Sequence, residues 1–234
     1  MSFGEVERMM HTFTYDGEEV FFDSVEGDLI ATNWIKGQFY ETKLLEKIKS
    51  MNLNGTYVDV GAHHGNHAIY FSKFTLAERV VAIEGNPINF DYLERNIKLN
   101  FCDIEAHNVL ASNTDGEVKD MYSQDGNTGN TSIFYDEITG SKVKITEGIT
   151  TQMDDILKNE KKVSLIKLDI QDSEWFALDG CRKIIEKHRP VIILEWNESN
   201  KEIDNLIDFF NEYGYEFSEK MRVPSMIHIY KWER

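Results

Sequence analysis

The stretch that most constrains this chain is residues 56–69, where a short apolar segment runs directly into two closely spaced glycines. Residues 57–60 are rich in apolar, β-favouring side chains and predict a buried strand. Gly61 and Gly65 predict a tight turn after it, and Asn66–Phe74 has the pattern of a helix. Strand, glycine turn and helix in this order place backbone N–H groups against a ligand in an open α/β sheet.

The spacing of the glycines discriminates between cofactors. A dinucleotide site has Gly-x-Gly-x-x-Gly, whereas this chain reads Asp59-x-Gly61-x-x-x-Gly65, with an aspartate in place of the first glycine. That difference favours a pocket for S-adenosylmethionine (SAM) over one for NAD, and it counts against an NAD-dependent oxidoreductase. Asp59 would hold the ammonium group of the cofactor or brace the turn.

An acidic residue after the second strand supports the same cofactor. Glu84 follows the predicted strand 79–83, where an acid in nucleotide-binding α/β folds accepts hydrogen bonds from the ribose hydroxyls. The alternative is a solvated acid in a turn. After the third strand, Ala111 and Ser112 would lie against the adenine.

The rest of the chain alternates strands with helices. The sequence predicts strands at 104–110, 163–170 and 190–196, and helices at 40–51, 88–99, 153–157, 174–187 and 203–213. Such alternation indicates a mostly parallel, doubly wound sheet with right-handed crossovers in one globular domain.

Four segments depart from that alternation. The sequence predicts an N-terminal hairpin of 13–15 and 20–22, a short strand within 28–34, and an antiparallel edge of 215–217 and 226–230 at the C-terminus. Residues 115–150 read as a β-rich insertion with turns at Asp125-Gly126-Asn127 and Thr139-Gly140. We expect this insertion to form part of an acceptor-binding wall.

Charge and composition limit the partners. A net charge of −16 opposes binding to phosphate backbones and anionic membranes, and no apolar run is long enough to span a bilayer. Two cysteines, Cys102 and Cys181, suit a reducing compartment, and the N-terminus lacks the apolar stretch of a secretory signal. We therefore expect a cytoplasmic protein with a small or neutral acceptor, no nucleic acid partner and no membrane partner.

Three histidines follow the first glycine, at positions 63, 64 and 67. A zinc site would need further ligands, and the sequence offers none at a recognisable spacing. We therefore expect no metal. The histidines are predicted to line the pocket or its mouth, with His64 as a possible proton acceptor near pH 7.

Asp169 is the leading candidate for the reaction centre, because it ends the fourth strand, where ligand crevices open in such sheets. It would orient an acceptor hydroxyl, take its proton, or contact the sulfonium end of the cofactor. Asp172 and Glu174 fit better as acids at a helix N-terminus. Glu195 ends the fifth strand, and it is either a rival catalytic group or the point at which that strand reaches solvent.

These blocks together resemble the FkbM-type family of SAM-dependent methyltransferases. Asp59-Val60-Gly61-Ala62-His63-His64-Gly65-Asn66-His67 is similar to the family's Asp-Val-Gly-Ala-Asn-x-Gly-Asn-His. Val81-Ala82-Ile83-Glu84, Val109-Leu110-Ala111-Ser112 and Lys167-Leu168-Asp169-Ile170 resemble later blocks in the same order, and the likeness covers about residues 40–196. The chain departs from the family at Gly85, where proline is usual, and at Gln171-Asp172, where Glu-Gly is usual.

The resemblance implies a Rossmann-like class I methyltransferase fold. We expect the SAM-dependent methyltransferase domain over 40–234 and, outside the likeness, an N-terminal arm or lid over 1–39. The resemblance also implies O-methylation of a sugar or a glycosylated small molecule, with SAM converted to S-adenosylhomocysteine. The alternatives are a divalent-metal-assisted O-methyltransferase and a SAM-binding module without catalysis. The predicted catalytic residues are Asp169, His64 and Glu195. The predicted cofactor-binding residues are Asp59, Gly61, Ala62, Gly65, Asn66, His67, Glu84, Gly85, Ala111, Ser112 and Asp169.

Overall fold

The computed structural model of the protein describes residues 8–124, 131–133, 142–196, 198 and 200–232. Its strands are β1 Arg8–Tyr15, β2 Glu18–Val25, β3 Gly55–Val60, β4 Ala77–Ile83, β5 Ile104–His107, β6 Leu110–Ser112, β7 Val118–Gln124, β8 Thr131–Ser132, β9 Lys142–Gln152, β10 Val163–Leu168, β11 Val191–Glu195, β12 Tyr215–Arg222 and β13 Met226–Trp232. Its helices are α1 Ala31–Trp34, α2 Thr42–Ser50, α3 Asn66–Phe74, α4 Pro87–Leu99, α5 Met153–Ile156, α6 Glu174–Asp179, α7 Arg182–His188 and α8 Ile203–Glu212.

The central sheet has seven strands in the order β12-β13-β11-β10-β3-β4-β5. Strands β11, β10, β3, β4 and β5 pair in parallel, and the C-terminal pair β12 and β13 is antiparallel. The carboxyl ends of the parallel strands therefore share one edge, where ligands bind in open α/β sheets. The predicted fold class, a mostly parallel sheet with an antiparallel C-terminal edge, is confirmed.

An apolar layer covers each face of the sheet, and the side chains of β3 alternate between the two layers. Tyr57 packs with α2, α3 and α4, whereas Val58 and Val60 pack with α5 to α8. Every residue of β3 is buried, as expected of a parallel strand with helices on both faces. The sheet is therefore a rigid platform that places Asp59, one position before the strand end, on the side of α2 and α3.

The predicted N-terminal hairpin is confirmed as β1 and β2, and helix α4 holds it against the sheet. The Asn96 side chain exchanges hydrogen bonds with the backbone of Asp23, and Asn100 does the same with Phe21. Phe22 lies in the same apolar core as the sheet. The hairpin therefore forms part of the main body, while the division of the chain at residue 39 stays a prediction.

The prediction of a strand within residues 28–34 is wrong, because this segment forms the short helix α1. The Asp28 carboxylate accepts hydrogen bonds from the backbone N–H groups of Ile30 and Ala31, at 2.7 and 3.4 Å. Such a cap starts a helical turn. Ala31 and Trp34, three residues apart, are then both buried on one side of the turn.

Two other elements are divided where the sequence predicts one. The strand predicted at 104–110 ends at His107, because the Asn108 side chain turns the chain by donating hydrogen bonds to the carbonyl oxygens of Glu84 and Gly85. The helix predicted at 174–187 is broken into α6 and α7. There the Asp154 carboxylate accepts the N–H groups of residues 183 and 184 and caps the second helix separately.

The predicted β-rich insertion is present as a small second sheet in the order β6-β9-β7-β8. Its strands β7 and β9 are antiparallel, and β6 joins β9 in parallel. The two predicted turns lie outside the described residues. Within the described part of the chain, no helix is long and apolar enough to cross a membrane.

Candidate active site

A cavity opens at the carboxyl ends of β3, β4 and β10, the position predicted for the cofactor. With its open mouth it has a volume of about 980 Å³, at the upper end of the range for small-molecule sites. Nine of the predicted site residues line it, namely Gly61, Ala62, Asn66, His67, Glu84, Gly85, Ala111, Ser112 and Asp169, and His63 lines it too. The cavity is therefore built from the motifs that the sequence singles out.

The glycine turn is tightly packed against the end of β10. Gly61 has a φ of +79°, and a Cβ atom there would lie 1.9 Å from the carbonyl oxygen of Asp169. Only glycine fits this close approach of two backbones. Gly65, with a φ of +92°, begins α3, and a Cβ atom there would lie 2.9 Å from Leu93 Cδ1. The two glycines thus fix the entry of the turn against β10 and its exit against α4.

Glu84 is oriented by the turn itself. Its Oε2 accepts the backbone N–H of His63 at 2.8 Å, and its Oε1 accepts that of Asn86 at 2.8 Å. Burial raises the pKa of this carboxyl, although the two N–H groups oppose that shift. Each oxygen retains a second lone pair, so the carboxylate is held in place to accept two ribose hydroxyls. These residues fit the ribose end of SAM.

The small second sheet forms the side of the cavity where the sequence predicts the adenine. Ala111 and Ser112 lie on β6, and Met121, Thr131 and Thr150 come from the insertion. Ser132 also donates a hydrogen bond to the backbone of Gln171 at 3.3 Å. The described part of the insertion therefore contributes to the wall of the cofactor cavity.

Asp59 does not line the cavity but supports it from behind. Its carboxylate is fully buried, and its Oδ1 lies 3.3 Å from Lys167 Nζ, on the neighbouring strand β10. Lys167 Nζ is also 3.5 Å from Asp169 Oδ2. Burial disfavours the charge of Lys167, but Asp59 and Asp169 outweigh it and raise its pKa. This geometry favours the bracing role for Asp59 over contact with the cofactor.

Asn66 and His67, at the start of α3, hold the N-terminal segment beside the cavity. Asn66 Oδ1 accepts Trp34 Nε1–H and the N–H of Tyr40, both at 3.0 Å. His67 Nε2 lies 3.1 Å from Glu41 Oε2, in a buried pair. Burial lowers the pKa of His67 to about 4, and burial raises that of Glu41 to about 8, so this pair is neutral at pH 7.

Asp169 is the carboxylate at the open end of the cavity, with a side chain that is 29% exposed. Burial opposes its ionisation, but the Lys167 ammonium outweighs burial and lowers the pKa of Asp169. Gln171 Nε2 donates to Asp169 Oδ1 at 3.3 Å and to Glu195 Oε2 at 3.2 Å. Burial, together with repulsion from Asp169, raises the pKa of Glu195 to about 7.

A second cavity adjoins the first, and Gln171 lines both. Its other lining residues are Asp172, Glu174, Glu195, Trp196, Glu198 and Met226. It thus combines carboxylates with one indole ring. Asp169 and Glu195 therefore meet at the junction of a cofactor cavity and an acidic side cavity.

His64 lies elsewhere. Its ring is fully buried behind the glycine turn, with Nδ1 2.8 Å from Asp28 Oδ2, and it does not line either cavity. Of the three predicted catalytic residues, the structure brings Asp169 and Glu195 together and leaves His64 apart.

Sequence reasoning missed three polar groups at the site. Lys167 has a signal in the sequence, because a lysine inside a buried strand needs a charged partner. Tyr40 and Glu41 carry no local signal, because the N-terminal segment must first pack on α3. Tyr40 then lines the cavity, and Glu41 contacts His67, which lines it.

This sheet order, the glycine turn and the buried acid that follows β4 define the Rossmann-like methyltransferase fold, with SAM as its cofactor. The family model described as "Methyltransferase FkbM domain" matches residues 59–217. The chain therefore belongs to this family, as the sequence motifs predict.

Similar proteins of known structure support the fold. The chain resembles a methyltransferase FkbM from Methylobacillus flagellatus, with a TM-score of 0.53 and 20% identity over 76% of this chain and 44% of that one. It also resembles a Thermus thermophilus 16S rRNA N2 G1207 methyltransferase solved with AdoMet and guanosine, with a TM-score of 0.56 and 14% identity over 99% and 52%.

One curated relative is more similar in sequence. A tRNA(Phe) (4-demethylwyosine(37)-C(7)) aminocarboxypropyltransferase from Methanocaldococcus jannaschii is 37% identical over 97 residues, which cover 40% of this chain and 36% of that protein. The chain thus spans less than half of the length of this relative and of the Methylobacillus protein.

Proposed function

We propose that the protein is a SAM-dependent O-methyltransferase whose acceptor is a hydroxyl group of a sugar or a glycosylated small molecule. The observation that carries this proposal is the pair Asp169 and Glu195, held by Gln171 where the cofactor cavity meets the acidic side cavity. Carboxylates accept hydrogen bonds from hydroxyl groups, and an indole ring such as Trp196 packs against the apolar face of a sugar.

Bound SAM supplies an electrophilic methyl group. Methyl transfer from a sulfonium is an in-line displacement, so alignment of the acceptor oxygen should provide most of the acceleration, up to about 7–11 kcal/mol. The Asp169 carboxylate is placed to orient the acceptor hydroxyl, since Lys167 and Gln171 fix it from two sides. A general base contributes a further factor of about 10²–10⁴ when its pKa lies near the working pH.

Glu195 has the pKa that suits such a base, about 7. We therefore assign orientation of the hydroxyl to Asp169 and acceptance of its proton to Glu195. The rate of transfer should rise as the pH increases through about 7, because Glu195 must be ionised to act, and it should reach a plateau above that.

The test is methyl transfer from methyl-labelled SAM to a panel of deoxyhexoses and other glycans. Asp169→Asn should retain SAM binding by calorimetry and lose about 100-fold in turnover, because the acceptor hydroxyl is no longer aligned. Glu195→Gln should lose the rise near pH 7. Asp155→Asn, an exposed acid on α5, serves as the matched control. Unchanged turnover in Asp169→Asn would contradict the assignment, and labelled product with any glycan would eliminate the non-catalytic alternative.

The metal-assisted alternative makes a different prediction in the same assay. If Asp169 and a neighbouring acid held a divalent ion against the acceptor, a chelator would abolish transfer and the metal would restore it. Transfer that survives the chelator supports the general-base mechanism.

A second candidate function is transfer to tRNA, and the 37% identity to the aminocarboxypropyltransferase favours it. The charge of −16 opposes it, because binding to a phosphate backbone relies on basic residues. SAM labelled either in the methyl group or in the aminocarboxypropyl chain, incubated with tRNA, separates the two reactions. Incorporation of the second label into tRNA would replace the sugar proposal, and the exclusion of nucleic acid stays a prediction until then.

A further inference from the structure

The least explained side chain in the described structure is His63. It follows the glycine turn with a φ of +50°, and both of its ring nitrogens are buried without a hydrogen-bond partner. Burying an unpaired polar group costs about 1–3 kcal/mol. A buried imidazole with two unmatched nitrogens therefore calls for a ligand.

Two other side chains lie beside it. The His64 ring stacks on the His63 ring with centroids 3.8 Å apart, and His64 Nδ1 is 2.8 Å from Asp28 Oδ2. Ligand atoms of Asp28, His63 and His64 all lie within 4.8 Å of one another. Across the described ranges, no other three His, Cys, Asp or Glu side chains form such a group.

We propose that Asp28, His63 and His64 form a binding site for a divalent transition metal ion, most suitably Zn²⁺, that joins the N-terminal segment to the cofactor turn. Two imidazoles and one carboxylate are a donor set that Zn²⁺ accepts in proteins, and imidazole also suits Co²⁺ and Ni²⁺. The sequence alone does not reveal this site, because Asp28 is distant from the two histidines along the chain.

An ordinary buried ion pair explains only part of the cluster. The contact between Asp28 and His64 accounts for Asp28 Oδ2 and His64 Nδ1, and Asp28 Oδ1 is occupied by the N–H of Ile30 at 2.7 Å. It leaves both nitrogens of His63 unexplained. A metal ion would take one nitrogen from each ring and the Oδ2 of Asp28, and it would thereby give a partner to one of the two unpaired nitrogens of His63.

The geometry requires a modest adjustment. Tetrahedral bonds of about 2.0–2.1 Å place ligand atoms roughly 3.4 Å apart, so separations of up to 4.8 Å must close by at most about 1.4 Å. Binding would therefore require the two stacked rings, which are inclined by 20°, to turn their nitrogens towards one point. Three protein ligands leave one position for water. His64 lines neither cavity, whereas His63 lines the cofactor cavity, so the metal would lie between the N-terminal segment and the wall of that cavity.

The experiment uses the full chain, stripped of metal with a chelator. Zn²⁺ is titrated against a chromophoric chelator for stoichiometry and affinity, and Co²⁺ is added to record its visible absorption. We expect one equivalent per chain and a Zn²⁺-dependent rise in Tm. His63→Asn and Asp28→Asn should each weaken binding at least about 100-fold. His188→Gln, a histidine on α7, is the control and should bind as the wild type does.

Two features keep the test decisive. Asparagine tolerates the left-handed backbone of position 63, so His63→Asn removes the imidazole with little strain. His63→Cys should bind Co²⁺ and add a thiolate charge-transfer band, which a merely structural histidine would not produce. The proposal is overturned if the wild type binds no stoichiometric Zn²⁺, or if His63→Asn, Asp28→Asn and the control bind it equally.

Discussion

Replacing Lys167 by methionine tests whether the site depends on one buried cation. Lys167 is 2% exposed, and its Nζ lies 3.3 Å from Asp59 Oδ1 and 3.5 Å from Asp169 Oδ2. At an effective dielectric constant of about 20, each contact has a Coulomb energy of roughly 5 kcal/mol. The desolvation of Lys167 cancels much of this attraction in the wild type, but the variant leaves Asp59 as a fully buried charge without a cation.

We therefore expect Lys167→Met to lower the free energy of unfolding by about 3–5 kcal/mol. The measurement is urea unfolding at pH 7, followed by circular dichroism. The double variant Lys167→Met/Asp59→Asn removes both charges and should recover at least about 1 kcal/mol. Lys158→Met, at a lysine with a 64% exposed side chain, is the matched control and should change stability by less than about 0.5 kcal/mol.

Two results would refute this reasoning. A loss within about 1 kcal/mol of wild type would mean that Asp59 finds another way to satisfy its charge. A double variant that is no more stable than Lys167→Met would mean that the loss comes from packing, because removal of the unpaired charge then brings no gain.

The remaining predictions concern packing, a buried amide and pH. Gly180→Ala places a Cβ atom 1.9 Å from the carbonyl oxygen of Ser112, so it should lower stability by at least about 2 kcal/mol in urea unfolding. Trp34→Phe removes one of the two donors to Asn66 Oδ1 and should cost about 1–2 kcal/mol by the same measurement. Burial raises the pKa of Glu174 from 4.5 to about 8, so the folded state retains a proton that the unfolded state releases. Its contribution is complete below about pH 4.5 and is lost as the pH rises to about 8, at up to about 1.4 kcal/mol per pH unit. Unfolding at pH 5, 6.5 and 8 should show a smaller decline in Glu174→Gln, and equal slopes would contradict this.

The parts of the site that the sequence predicts are those that local chemistry specifies. Gly61 and Glu84 each belong to a turn at the end of a strand, and the turn fixes where they lie relative to that strand. The order of strands and helices then determines which edge of the sheet they share. For this reason the fold, the cofactor and the cavity lined by these residues can be predicted from the sequence.

The parts that the sequence does not predict depend on contacts between distant segments. Lys167 faces Asp59 only because β10 pairs with β3 in one particular register. Glu41 meets His67, and Asp28 meets His64, only because the N-terminal segment packs on α3 and the glycine turn. The sequence around Asp59, Glu41 and Asp28 does not indicate which distant residue each of them contacts. The reaction centre and the histidine cluster are therefore visible only in the three-dimensional structure.

The pairing of β3 with β10 also has a consequence for how the protein is made. These central strands are far apart in the chain, as shown by the hydrogen bond from Ser164 to Thr56, which are 108 residues apart in sequence. During synthesis the glycine turn and Glu84 emerge long before Lys167 and Asp169, and contacts of such long range form slowly. Until β10 docks, the buried Asp59 has no cation beside it. SAM therefore meets a complete pocket only after β10 has been made and has docked beside β3, so it can stabilise the fold only from that step onwards.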